Sequence, residues 1–224
     1  MKVILFGATG MVGQGVLREC LASPEVESVL IIGRSSSGVE NPKVREIVHG
    51  ELFDYSNLES EIIGFDSCFF CLGVSAAGMS EEAYSRISAD LTLAAAKTLV
   101  RLNPEMTFIY VSGAGTDSTE KGRMMWARVK GKTENQLLQL PFKAAYMFRP
   151  AYIQPLHGTR SRTRAYRVLY GLVGPLFPVL QALFPRYVTT TERVGLAMIR
   201  AAQLGHPQPV LENDAINRLA AANR

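Results

Sequence analysis

The chain has 224 residues, of which 47% are hydrophobic and 20% charged, and its formal net charge is +4. That length and composition suit one large α/β domain, or such a domain with a small appendage, built around a sizeable core. The mild positive charge fits an anionic small-molecule ligand or weak attraction to a membrane surface, and it supplies no argument for nucleic acid.

The first predicted element is "KVILF", residues 2–6. The opening "MKVILFGATGMVG" imitates an export signal, but its apolar run ends in a glycine loop without a small-residue cleavage site, so it reads as a strand. The expected location is therefore cytoplasmic, with reduced cysteines. The loop carries Gly7, Gly10 and Gly13 and leads into the amphipathic "MVGQGVLREC". A glycine turn between a first strand and a helix lets the backbone approach a pyrophosphate, whose charge meets the free N–H groups of the helix start. Dinucleotide binding is the expectation.

The second strand, "SVLII", runs into "GRSSS". About 20 residues after the glycines a dinucleotide fold places its ribose-recognising residue, which is acidic where NAD is bound. Arg34 stands there, followed by Ser35 to Ser37. A guanidinium binds a 2′-phosphate bidentately and hydroxyls assist, so the expected cofactor is NADP(H).

"VREIV" reads as a third strand and "SCFFCL" as a fourth. Cys68 and Cys71 imitate a CxxC pair, but three positions apart on a strand they point to opposite faces and read as core thiols. A long helical pattern, "EEAYSRISADLTLAAAKTLVRL", precedes the strand "TFIYVS", the helix "MMWARVKGKTENQLLQL" and the strand "AAYMFRP". Trp126, the only tryptophan, lies four residues ahead of Lys130, so the two share a helix face. Strict alternation of β and α segments implies a parallel sheet covered by helices.

After Pro150 the pattern changes. Residues 1–150 are expected to be the cofactor-binding core of a single Rossmann domain, and residues 151–224 a smaller substrate-side or interaction region. Arg160, Arg162, Arg164 and Arg167 precede an apolar stretch at residues 168–184, which is short and broken by prolines. Four readings stand: a lid whose arginines meet an anionic group, a homodimer contact, an interfacial anchor on acidic lipid, or plain packing beneath a basic rim. "TTTERVGLAMIRAA" then reads as a helix and "PVLEN" as a short strand. The histidines, His49, His157 and His206, are widely separated and have no metal-ligand spacing.

In their order and spacing, "GATGMVG", "IIGR", "FFCLG", "VKGKTE", "FRPAYIQP" and "VLENDAI" resemble the extended and atypical short-chain dehydrogenase/reductase superfamily. Within it they are most similar to the small NADPH-binding proteins of the TIP30-like group, often labelled nucleoside-diphosphate-sugar epimerase-like. The resemblance spans residues 7 to 216 and implies a Rossmann-like, doubly wound parallel sheet. It also implies roles. Gly7, Thr9, Gly10, Met11 and Val12 would wrap the pyrophosphate, and Arg34 would hold the 2′-phosphate. Glu51 stands in place of the family's adenine-segment aspartate, with Leu52 beside the ring. Cys71, Leu72 and Gly73 would line the cofactor, and Pro150 and Ile153 would sit near the nicotinamide.

Family enzymes use Tyr-x-x-x-Lys with an assisting serine. Lys130 keeps the lysine's place and Ser112 offers a hydroxyl, but Trp126 holds the tyrosine's place, and Gly113 and Ala114 stand where the serine usually falls. An indole N–H can donate a hydrogen bond but cannot shuttle a proton near neutral pH. Two functions are therefore carried forward. One is an NADPH-dependent oxidoreductase or epimerase-like enzyme on a small substrate, drawing its proton from a water or from Tyr152. The other is an NADP(H)-binding sensor or scaffold whose partner contacts follow cofactor occupancy.

Overall fold

The computed structural model describes residues 1–159 and 174–222. The arginine-rich stretch and residues 168–173 lie outside the described residues, so the lid, dimer and lipid-anchor readings attach to no described geometry there. The strands are β1 (Lys2–Phe6), β2 (Ser28–Gly33), β3 (Val44–Val48), β4 (Ser67–Phe70), β5 (Thr107–Val111), β6 (Ala144–Arg149), β7 (Tyr152–Gln154), β8 (Val188–Thr190) and β9 (Val210–Glu212). The helices are α1 (Met11–Ala22), α2 (Glu59–Ile62), α3 (Glu81–Ser85), α4 (Leu91–Leu102), α5 (Met125–Leu138), α6 (Phe177–Leu183), α7 (Thr191–Leu204) and α8 (Asn213–Ala221).

Seven strands form one sheet in the order β3-β2-β1-β4-β5-β6-β9, and every pairing in it is parallel. The continuous apolar run of β1 follows from this arrangement, because a central parallel strand is buried on both faces. Val3 and Leu5 join the core formed with α1, α7 and α8, whereas Ile4 and Phe6 join the core beneath α4. Cys68 and Cys71 divide between the same two sides, as their strand spacing predicts, and both thiols are free. β1 is flanked by β2 on one side and β4 on the other, so the strand order reverses there and opens a crevice at the carboxyl ends of the strands.

Two local features differ from the sequence reading. β7 and β8 pair in parallel as a separate two-stranded sheet, Ile153 opposite Thr189; three residues per strand are too few to show an alternation. The long helical pattern at 81–102 is interrupted by a π-helical segment, Arg86–Asp90, between α3 and α4.

One buried ion pair ties the second half of the sheet together. Arg149, at the end of β6, directs its Nε to both carboxylate oxygens of Glu134 on α5, at 3.1 and 3.2 Å, and its Nη1 to Glu212 on β9 at 3.1 Å. Its Nη2 donates to Glu134 and to the Ser118 hydroxyl in the loop ahead of α5. The Glu134 side chain is only 1% exposed. Removing Glu134 leaves the buried Arg149 with only the largely exposed Glu212 carboxylate as counter-ion, which costs more than the Glu134 pair itself contributes. Glu134→Ala should therefore lower the unfolding free energy by about 3–5 kcal/mol in urea denaturation, and the double change Glu134→Leu/Arg149→Met should recover most of it. A loss below about 1 kcal/mol in the single variant would show that the pair is dispensable.

Candidate active site

A cleft of about 950 Å³ lies along the carboxyl edge of the sheet, and apart from the serines after Arg34 every residue to which the sequence assigned a cofactor contact lines it. At its centre the chain leaves β1 through Gly7, whose φ of +80° lies in the left-handed region. A Cβ at Gly7 would stand 2.6 Å from the Leu72 nitrogen, so the β1 turn and the segment after β4 are in backbone contact. The Gly10 N–H closes the turn onto the Gly7 carbonyl at 2.9 Å. A Cβ at Gly13, in the first turn of α1, would fall 2.1 Å from that same carbonyl oxygen.

No side chain caps the start of α1 and its first turn carries no acidic residue. The unbonded N–H groups of a helix start, with the positive end of its dipole, are then available to an anion. Thr9, Gly10, Met11 and Val12 line the cleft at this point. The cradle fits a pyrophosphate: negative charge meets N–H donors, and a side chain at Gly7 or Gly13 would deform it.

Arg34 is exposed at the wall beyond β2, and among the described residues no hydrogen bond or ion pair engages it. The serines after it are arranged differently from expectation. The Ser36 hydroxyl donates to Glu46 on β3 at 2.5 Å, and the Ser37 N–H donates to the other oxygen of that carboxylate at 2.6 Å. The Glu46 carboxylate holds both donors, and neither serine lines the cleft beside Arg34. The segment to which the resemblance assigned the adenine turns on Glu51, whose carboxylate accepts the Phe53 N–H at 3.0 Å, and Leu52 is buried beside it. Cys71, Leu72 and Gly73 continue the wall after β4.

At the other end α5 places Trp126 and Lys130 one turn apart, and both line the cleft. The Lys130 ammonium donates to the Ser112 carbonyl oxygen. Burial pushes its pKa down from 10.5 to about 8, while the Glu134 carboxylate one turn along pulls it back up. Ser112 lines the cleft, but its hydroxyl donates to the Phe148 carbonyl on β6 at 3.1 Å. The Ala114 N–H donates to the Pro150 carbonyl at 2.9 Å and joins the β5 and β6 loops. The Trp126 ring lies over the turn, its Cη2 atom 3.5 Å from where a Cβ of Gly115 would be.

Tyr152 does not serve as the alternative proton source. Its neighbours Ala151 and Ile153 line the cleft, whereas its own hydroxyl donates to Gln154 Oε1 at 2.8 Å and its ring lies against Phe177. Alternation along β7 explains this, since successive side chains point to opposite faces. Among the described residues lining the cleft there is no tyrosine and no histidine. Arg86, Ile87, Leu91 and Phe53 also line the cleft and were not assigned from the sequence. Only Arg149, inside "FRPAYIQP", carried a hint of the ion pair below, because an arginine at the end of a buried strand needs a partner.

No family model matches the chain. It is similar to the mitochondrial protein Fmp52 of Emericella nidulans, with 28% identity over 208 residues covering 89% of this chain and 86% of the relative. It is also similar to HTATIP2 of Rattus norvegicus, with 27% identity over 155 residues covering 68% of this chain and 62% of that protein. Among solved structures, the Bordetella bronchiseptica enzyme WbmF in complex with NAD+ superimposes with a TM-score of 0.68 and 16% identity, covering 97% of this chain and 76% of that one. An oxidoreductase of the short-chain dehydrogenase/reductase family from Burkholderia thailandensis and two sugar-nucleotide epimerases share the fold. The chain is a homologue of Fmp52 and HTATIP2, and its Rossmann-like fold is the one an atypical, TIP30-like short-chain dehydrogenase/reductase would have. The cytoplasmic location expected from the N-terminal run is overturned by these relatives, whose Fmp52 members carry mitochondrial names.

The buried ammonium of Lys130 has a measurable signature. The unfolded chain holds its proton up to about pH 10.5 and the folded chain only up to about 8. The unfolded state therefore binds more protons between those values, and stability rises with pH there. Below about 8 the penalty of burying the charge is fully present. Urea denaturation at pH 7, 8.5 and 10 should show this rise in the wild type and a flatter dependence in Lys130→Met. Parallel dependences in the two proteins would show that Lys130 keeps an ordinary pKa.

Proposed function

We propose that the cleft binds NADP(H) and presents the nicotinamide to a small carbonyl or sugar-type substrate, with proton transfer as the weak step. The observation that carries the cofactor choice is Arg34, an exposed guanidinium at the ribose position that no acidic side chain engages among the described residues. An acidic residue there would accept the 2′-hydroxyl of NAD and repel a phosphate, whereas a guanidinium does the reverse. The glycine turn and uncapped α1 supply the pyrophosphate site, and homology to Fmp52 and HTATIP2 together with the NAD+-bound WbmF fold supports a nicotinamide dinucleotide.

A nicotinamide cofactor supplies a hydride; the chain must orient the substrate and deliver a proton to the carbonyl oxygen. Lys130 would hold a ribose; that its ammonium lines the cleft and is tethered to the Ser112 carbonyl supports this role. Trp126 fills the wall where the family's tyrosine stands and offers only an indole N–H. A second reading, an NADP(H)-occupied sensor or scaffold, is favoured by the same end of the cleft, where the Ser112 hydroxyl is bonded to the Phe148 carbonyl and position 113 is glycine.

Calorimetry should give tighter binding for NADPH than for NADH, and Arg34→Ala should weaken NADPH ten-fold or more, corresponding to a charge-assisted contact of about 1.5–3 kcal/mol. Equal affinities for the two cofactors in the wild type would defeat the NADP(H) assignment.

The reaction end has its own test. Trp126→Tyr puts a phenol one turn ahead of the Lys130 ammonium, which favours the phenolate. Turnover on a panel of small carbonyls should rise by up to about 10²–10⁴-fold with NADPH affinity little changed. Brisk wild-type turnover that Trp126→Tyr leaves unaltered would refute the weak-proton reading; no turnover in either protein, with NADPH bound, would favour the sensor.

A further inference from the structure

The wall opposite the adenine segment is shaped by the π-helical turn. Within Arg86–Asp90 the Leu91 N–H donates to the Arg86 carbonyl, an i+5 bond, so Leu91 falls above Arg86. In an α-helix five residues would separate the two by roughly 140° around the axis, and both could not stand on one narrow face. Arg86, Ile87 and Leu91 all line the cleft. The wider turn loosens the local ladder, and the Thr92 hydroxyl donates to the Ser88 carbonyl at 2.6 Å.

The turn sets the Arg86 guanidinium over the face of the Phe53 ring, 5.4 Å from its centroid. Phe53 is in turn fixed from below, because its N–H donates to Glu51 and its neighbour Leu52 is buried. Both Arg86 and Phe53 are exposed and line the cleft, and among the described residues the ring contact is the one interaction of the Arg86 side chain. A planar cation resting on an exposed aromatic face has little to hold it in water, yet it is well suited to stack on a purine, since guanidinium planes and aromatic rings both accept base faces.

Resting on the NADP(H) reading, we infer that Arg86 and Phe53 form an adenine clamp: the π turn presents the guanidinium so that the purine end of the dinucleotide stacks against it beside Leu52. Arg86 is thus a second cationic determinant of cofactor binding, acting on the base as Arg34 acts on the 2′-phosphate. It predicts that affinity for the adenine half of the cofactor is lost separately from affinity for the nicotinamide half.

The test uses two half-cofactors, adenosine 2′,5′-bisphosphate and reduced nicotinamide mononucleotide, with calorimetry on the full chain. Arg86→Ala should weaken adenosine 2′,5′-bisphosphate about ten-fold and leave the mononucleotide unchanged. Arg86→Lys should fail to restore the loss, because an ammonium keeps the charge without the plane. Phe53→Ala, which removes the ring that seats the guanidinium, should weaken the same probe by a smaller factor. Unchanged affinity in Arg86→Ala, or full rescue by Arg86→Lys, overturns the clamp while leaving the dinucleotide reading in place. A wild type that binds neither NADPH nor adenosine 2′,5′-bisphosphate sinks the dinucleotide reading itself.

Discussion

The architecture depends on how closely α1 can approach its neighbours. A Cβ at Gly13 would collide with the Gly7 carbonyl, and one at Gly15 would stand 2.5 Å from the Thr191 Cβ at the start of α7. From the other side, a Cβ at Gly195 would meet the Glu19 side chain at 2.8 Å. These positions let α1 lie against the phosphate turn at one end and against α7 along its length. Ordinary side chains would push the helix outward, and the helix start would then no longer be aimed at the turn that needs its positive end. Glu19 accepts a cost in this seam: burial raises its pKa, and the adjacent Arg18 guanidinium pulls it back.

The two ends of the cleft are built by different physics. The phosphate end relies on backbone, which any sequence supplies once glycine permits the approach. The reaction end relies on side-chain chemistry from α5 and the β5 loop, held in place by the Arg149–Glu134 pair beneath it. Backbone geometry of that kind does not depend on the identity of the side chains at the other end. Trp126 fills the space over Gly115 and closes the wall there.

Most of the fold could be read from the chain because its signals were local and repeated. Apolar runs at β1, β2, β4 and β5 are buried on both faces, and the glycine spacing sits where a strand hands over to a helix. That Arg34 stands in the cleft wall was legible from its position alone. What escaped was set by tertiary context. β7 and β8 are three residues each and exist only by pairing with one another. The π turn has no sequence period of its own, so nothing in the long helical pattern singles out Arg86. Ser112 and Tyr152 each offered a hydroxyl of the right type in the right segment, but a nearby carbonyl in one case and strand alternation in the other turned that hydroxyl to structural use. Residue type can be read in a sequence; which way a hydroxyl points cannot.

The seam between α1 and α7 also bears on synthesis. It joins residues 11–22 to residues 191–204, and β9 at 210–212 completes the sheet beside β6. Contacts this distant along the chain form late, after their loop-closure entropy has been met. A nascent chain that has made the glycine turn and the first five strands still displays the apolar side of α1 and β1, including Val16, Leu17 and Val3, until α7 and α8 emerge. Such an intermediate is sticky. During translation, that one face of the sheet therefore stays without its α7 and α8 cover until residues 191–221 are made.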